Sequence, residues 1–201
     1  WSDVHWSQPG LFNARNAAMA ATAAALAVAP AAPMSLQLGA LARYRGVKRR
    51  QELRVDTPRL KVVEDFGHHP TAVGETLVSL RARFPGHVIH AAFEPRSNTS
   101  RRKVMQGAFM RALANADEVY LGPVARAHLL KPDERFDHEA IIEHLATQGV
   151  HGHTAPSNAE LLEKLLANSA ATADGRPQLV VFFTNGSFDG IIAGYVQRAA
   201  G

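Results

Sequence analysis

The sequence predicts an α/β fold, a mostly parallel sheet with helices on both faces, and three observations carry that expectation. Short segments of strand length, rich in apolar residues, stand at residues 60–66, 88–93 and 179–184. Between them lie longer segments whose apolar residues recur every three or four positions, as at Val73, Leu77 and Leu80. Each run is followed by a loop rich in glycine and polar residues, the pattern of strands that alternate with covering helices.

From residue 13 to about 29 nearly every residue is a strong helix former, and Pro30 with Pro33 stops the run. A second helix is expected over 34–44, with Leu36, Leu38 and Leu41 on its apolar side and Gly46 after it. This opening is all helix, so it reads as the edge of a domain whose sheet lies elsewhere. After Gly46 the alternation begins: a strand at 60–66, a helix from Pro70, a strand at 88–93, a helix over 103–115 and a strand at 118–121. A helix over 139–147 follows, then one over 157–166 opened by a capping box of Ser157 with Glu160. The most hydrophobic strand, 179–184, leads through NGSFDG to a last helix from about Gly190. Linker-like stretches fall at 57–59 and 171–177, and no internal repeat is visible.

Composition narrows the function classes. With 201 residues, 46% of them hydrophobic and 20% charged, the chain suits one globular domain or one domain plus part of a neighbour. It has no cysteine, which excludes disulfides, thiolate metal sites and a thiol nucleophile, and fits a reducing cytoplasm. The net charge of +4 comes from dispersed arginines, and the densest groups, Lys48 to Arg50 and Arg101 to Lys103, have no aromatic residues interleaved. That pattern suits small anions, nucleotide phosphate or peptide carboxylate, in place of nucleic acid. The alanine-rich stretch 16–33 imitates a signal-peptide core, yet no basic segment precedes it and alanine is too weakly apolar to span a bilayer. A packed helix and no membrane partner are expected; the absence of an initiating methionine suggests that an upstream portion has been removed.

In a parallel sheet ligands gather at the carboxyl ends of the strands, which selects the loops 65–71, 94–100 and 185–190. VVEDFGHHPTA is the most specific piece: Glu64 and Asp65 end a strand, Gly67 allows a tight turn, and His68, His69 and Pro70 open a helix. An acid at a strand end accepts hydrogen bonds from ribose hydroxyls, and a helix start beside imidazoles favours anions. A metal is the other reading of the histidine pair, although adjacent histidines rarely point at one ion. FEPRSNT is expected to expose Glu94, Arg96, Ser97, Asn98 and Thr99, with Arg96 suited to a carboxylate; a plain turn is its alternative. Asn13 and Asn16 sit three apart on one helix face, and their carboxamides donate and accept as an adenine edge requires, or Asn13 simply caps the helix. Lys48, Arg49 and Arg50 follow a turn where guanidinium groups can grip phosphate oxygens, or form a solvated basic loop. The backbone of NGSFDG offers N–H groups to an anion or serves a tight turn. His151 and His153, like His128, His138 and His144, are expected at the surface without a metal. No GxxxxGK[ST] phosphate loop occurs.

These pieces, in this order, resemble the C-terminal part of the Mur ligases from about Pro9 onward, in style closest to the murein peptide ligases. The family joins amino acids or peptides to nucleotide-linked muramic acid through an acyl phosphate made from ATP. The resemblance implies a Rossmann-like C-terminal domain over 46–201, preceded at 1–45 by a helical remnant of the central ATP-binding domain. It implies that Asn13 and Asn16 approach adenine, Arg50 the terminal phosphate, Asp65 the ribose, and that His68 lies beside the nucleotide. Arg96 would bind a carboxylate of the incoming peptide, with Ser97, Asn98 and Thr99 lining the same pocket. ATP and Mg2+ would be held mostly by upstream domains of the same enzyme, its substrates would be a nucleotide and the tripeptide L-alanyl-γ-D-glutamyl-meso-diaminopimelate used in peptidoglycan recycling, and this portion alone would be inactive. The family's G-x-H-N run is GLFN here, so Phe12 stands where histidine is usual. Competing readings are the alanine-adding ligase, whose PHRxTR loop differs from EPRSNT, a free-standing nucleotide- or peptide-binding module, and a basic nucleic-acid binder with salt-sensitive affinity.

Overall fold

The computed structural model describes residues 1–170 and 175–199, so part of the linker-like stretch 171–177 lies outside the described residues. The chain divides into two compact units, Trp1–Val47 and Lys48–Gly201.

In the first unit, α1 (Leu11–Val28) buries Ala21 and Ala25. Its N-cap is Gly10, at φ 89°, so Asn13 lies inside the first turn and does not cap the helix. The single helix expected over 34–44 is instead a 3-10 turn at Pro33–Ser35 and a short α2 (Gly39–Arg43). Leu36 between them is extended, Ser35 Oγ donates locally to the Ala32 carbonyl at 2.7 Å, and Gly39 weakens any continuous helix. The indole of Trp1 donates to the Leu36 carbonyl at 3.1 Å, and Trp6 lies against Tyr44 with ring centroids 6.5 Å apart.

The second unit is a six-stranded sheet in the order β1-β2-β6-β3-β4-β5. Its strands are β1 (Glu52–Asp56), β2 (Leu60–Asp65), β3 (Val88–Phe93), β4 (Glu118–Leu121), β5 (His151–Thr154) and β6 (Gln178–Phe183). All neighbours pair in parallel except β1, which runs antiparallel to β2. Helices α3 (Pro70–Arg83), α4 (Gln106–Leu113) and α5 (His138–Thr147) supply one core, and α6 (Asn158–Ser169) and α7 (Ile191–Ala199) the other. The strand side chains alternate between them: Leu179, Val181 and Phe183 of β6 join Val73, Leu77 and Phe109, while Val180 and Phe182 join Leu161, Leu165 and Tyr195. The capping box forms as expected, with Ser157 Oγ accepting from the Glu160 amide at 3.2 Å.

Two strands escape the apolar-run criterion. Only Val55 is buried in β1, whose other positions include Glu52, Arg54 and Asp56, and β5 reads His-Gly-His-Thr. Gly152 of β5 has a packing reason: a Cβ there would meet Ile142 Cγ1 of α5 at 2.7 Å. The expectation that the histidines of this motif are both at the surface is corrected. His151 is exposed, but its neighbour two residues on, His153, stacks on Tyr120 with centroids 4.6 Å apart and puts Nε2 3.3 Å from Glu118. Register explains this, because β5 pairs His153 with Tyr120 and His151 with Glu118.

Fully buried His90 completes the cluster, with Nδ1 3.5 Å from Glu118 and Nε2 2.7 Å from Gln178 Oε1, while the Tyr120 hydroxyl donates to Glu118 at 2.5 Å. Hydrogen bonding from His90, then from Tyr120, holds the Glu118 carboxyl at about 2 against the opposing effect of burial. A depressed carboxyl stabilises the fold above its unfolded pKa, near 4.5, and that contribution is lost as pH falls toward 2. Glu118→Gln should therefore cost about 1 kcal/mol at pH 7, after allowance for solvent screening at this half-open site. Melting curves of the two proteins should converge as pH is lowered from 4.5; a gap that stays constant down to pH 2 would rule out this role for the carboxylate.

Candidate functional site

Because β6 inserts between β2 and β3, the three polar loops selected by the strand-end rule leave neighbouring strands on one edge of the sheet. The ladder continues past the strands: Thr184 N donates to the Asp65 carbonyl at 3.1 Å, and Glu94 N to the Phe183 carbonyl at 3.0 Å.

Asp65 is 4% exposed at the end of β2. Its Oδ1 accepts from the Gly67 amide at 2.6 Å and its Oδ2 from the Gln51 amide at 2.9 Å. Burial raises its carboxyl above the ordinary range, opposed by those two amides and by the charge of Arg50. The carboxylate thereby fixes both the Gly67 turn and the incoming 49–51 loop. His68 turns its Nδ1 to the Phe66 carbonyl, 3.0 Å away, and sets its ring edge-on to Phe66. His69 is the N-cap of α3, accepting from the Thr71 amide at 3.4 Å, so the two imidazoles have separate tasks.

The three basic residues after Gly46 also divide. Arg50 is exposed with its guanidinium 5.2 Å from the centre of the Phe66 ring. Arg49 is turned inward: Nε meets Glu64 at 2.7 Å, and Nη2 donates to the carbonyls of Thr184 and Gly186 at 2.9 and 2.5 Å. Glu64 is also paired with Arg54 of β1. The loop that presents these residues is backbone-strained, with φ of 58° at Arg49 and 49° at Gln51.

Across β6, the exposure expected for Glu94 is corrected: it is 2% exposed, because it continues the buried β3 one residue past the strand. Its carboxylate accepts from Thr184 Oγ1 and lies 3.4 Å from Arg96 Nη1. Arg96 itself is exposed, and its side chain runs across Gly186, where any Cβ would collide with it. The remaining loop is closed by hydroxyls: Ser97 Oγ donates to Ser100 Oγ at 2.8 Å, and the Ser100 amide donates back to Ser97 Oγ at 2.9 Å. Asn98 and Thr99 are exposed, and Asn98 Oδ1 accepts from Arg101 Nη2 at 2.9 Å.

Thus Arg50, Asp65 and His68 gather around the β2 end, and Arg96, Ser97, Asn98 and Thr99 around the β3 end, with the β6 loop between. Asn13 and Asn16 belong to the first unit, where Asn13 Nδ2 donates to the Pro9 carbonyl at 2.7 Å and Asn16 is exposed. Arg49, Glu94 and Thr184 link the two groups, and sequence reasoning did not assign them that task. A positive φ at Arg49 is what turns its side chain inward, and no residue pattern signals it.

Two substitutions test this frame. Arg49→Met should destabilise the chain by about 2 kcal/mol, since it leaves buried Glu64 with a single cation and uncaps two carbonyls. Both atoms of the buried Gln51 carboxamide lack a partner among the described residues. Gln51→Leu should therefore stabilise by about 1 kcal/mol. Urea unfolding measures both; a lower midpoint for Gln51→Leu would show that its amide is satisfied in solution.

Among the described residues no helix is long and apolar enough to cross a membrane, and no three His, Asp or Glu side chains converge as a metal site would require. Comparison with known proteins gives the chain a family. The Mur ligase, glutamate ligase domain, matches residues 49–185. The UDP-N-acetylmuramate–L-alanyl-γ-D-glutamyl-meso-2,6-diaminoheptandioate ligase of Escherichia coli K12 is 40% identical over 121 residues, covering 59% of this chain and 26% of its own. The UDP-N-acetylmuramate–L-alanine ligase of Oleidesulfovibrio alaskensis is 38% identical over 119 residues, covering 59% of this chain and 25% of its own. Among solved structures, a murein peptide ligase from Psychrobacter arcticus is 26% identical with a TM-score of 0.65, over 96% of this chain and 38% of that one. The chain thus spans about a quarter of these two curated relatives' length, and its matched region makes it a member of the Mur ligase family, carrying that family's C-terminal domain.

Proposed function

We propose that the chain is the C-terminal part of an ATP-dependent ligase that attaches L-alanyl-γ-D-glutamyl-meso-diaminopimelate to UDP-N-acetylmuramate in the cytoplasm, during peptidoglycan recycling. The observation that carries this reading is the placement of Arg96. An exposed guanidinium, braced by buried Glu94, stands across β6 from the Asp65 loop, which supports reading a peptide carboxylate and a nucleotide side by side on one edge. EPRSNT also differs from the PHRxTR loop expected of an alanine-adding enzyme.

In this reading residues 1–45 are a helical remnant of the central ATP-binding domain and 46–201 the C-terminal domain. Each Asp65 oxygen already accepts one amide and keeps a second lone pair, which suits a ribose hydroxyl. Arg50, exposed over Phe66, reaches a terminal phosphate, and His68 flanks the nucleotide. Asn13 and Asn16 contribute carboxamides toward adenine. Ser97, Asn98 and Thr99 line the peptide pocket beside Arg96. ATP supplies the activation of the acyl group, and its Mg2+ is held by other parts of the complete enzyme. The chain's own contribution is to hold two reactants together and to balance charge, with no nucleophile of its own.

Titration calorimetry of this chain with the tripeptide and, separately, with ATP tests the assignment. Arg96→Ala should weaken tripeptide binding about 10- to 100-fold, the range for losing a charged hydrogen bond, and leave ATP binding within about twofold. Equal losses for both ligands would argue against a peptide role for Arg96.

A further inference from the structure

The buried carboxylates of the site are all matched. Glu64 has Arg49 and Arg54, Asp65 has the amides of Gln51 and Gly67, and Glu94 has Arg96 and Thr184. One buried cation is not. Arg101, in the loop that follows β3, is 9% exposed, and among the described residues no carboxylate lies within ion-pair distance of it. Its Nη2 donates to the Asn98 amide oxygen at 2.9 Å, and its Nε is sealed from solvent with no acceptor.

A buried charge without a counter-ion is unfavourable, and a planar guanidinium is the side chain best shaped to grip a carboxylate with two parallel bonds. The backbone on either side holds Arg101 in place. Its own amide donates to the Ser97 carbonyl at 3.2 Å, and its carbonyl accepts from the Phe136 amide at 2.9 Å. Asn98, which faces Arg101 through its amide oxygen, sits two residues after Arg96.

We propose that Arg101 is a second carboxylate-binding residue of this loop: exposed Arg96 takes one carboxylate of a multiply charged peptide, and recessed Arg101, behind Asn98, takes another. The inference rests on the peptide reading of the previous section and deepens it. The tripeptide of that reading carries several carboxylates, whereas a monocarboxylic amino acid such as alanine carries one and fills only half of such a site. Two arginines set at different depths therefore favour a ligand with several carboxylates over a monocarboxylic amino acid. Asn98 acts as the positioning residue between them.

The test compares the native chain, Arg96→Ala and Arg101→Met by calorimetry with the tripeptide and by thermal melting without ligand. Arg101→Met should bind tripeptide about 10- to 100-fold more weakly, as for loss of a charged hydrogen bond, and melt no lower than native, because an uncompensated charge is replaced by an apolar chain of similar length. If Arg101→Met binds tripeptide as native does while Arg96→Ala does not, the second contact is overturned and the peptide reading stands. A melting point several degrees below native with unchanged binding would make Arg101 a structural residue only. If the native chain binds no tripeptide, the peptide reading fails, and the arginine is probed with glutarate at constant ionic strength. Glutarate should then raise the melting point of native protein but not of Arg101→Met, and an equal response of the two would overturn the anion site itself.

Discussion

Buried carboxylates at the strand ends flanking β6 are the constraint on which the site depends. Glu64 lies on β2 and Glu94 one residue past β3, on either side of β6, and neither is stable in the interior without donors. The donors come from separate segments: Arg49 from the loop before β1, Arg54 from β1, Thr184 from the end of β6, Arg96 from the loop after β3. Satisfying two charges therefore fixes the course of three loops. The cost of the left-handed backbone at Arg49 is offset by the three contacts that its guanidinium makes at once.

The same economy separates rigid from reachable groups. Arg49 and Arg50 are neighbours in sequence, yet one is a structural tie and the other an exposed cation over Phe66. His68 and His69 divide in the same way, between the strand-end loop and the cap of α3. Side chains that face the open edge are thus held by others that do not, which is what a precise contact with a small ligand requires.

Much of this was legible in the sequence. Apolar runs of strand length located β2, β3, β4 and β6, and the strand-end rule selected the three loops that the order of the sheet brings together. The illegible parts have physical reasons. β1 and β5 hold their places by pairing at the sheet's edges, so they need few apolar residues and leave little hydrophobic signal. Leu36, Leu38 and Leu41 suggested one helix, but a local hydroxyl bond at Ser35 and the flexibility of Gly39 divide it. Glu94 read as a loop residue because it is charged and precedes proline, yet it is among the most deeply buried groups of the unit. A charge inside the protein is recognised only when its partners are known, and Thr184 lies ninety residues away.

The antiparallel β1 bears on behaviour in solution. A parallel sheet ending at β2 would present the aliphatic Val62 and Val63 strand as a template for other chains. β1 covers that edge, and its own Glu52, Arg54 and Asp56 alternate in sign along a short ribbon interrupted by a register shift between Leu53 and Val55. Such a strand is a poor surface for a further one to add to, since an approaching backbone would meet charges of both signs and an irregular ladder. An element with almost no hydrophobic signature thereby guards the chain against edge-to-edge aggregation at the side of the sheet closest to the Asp65 loop.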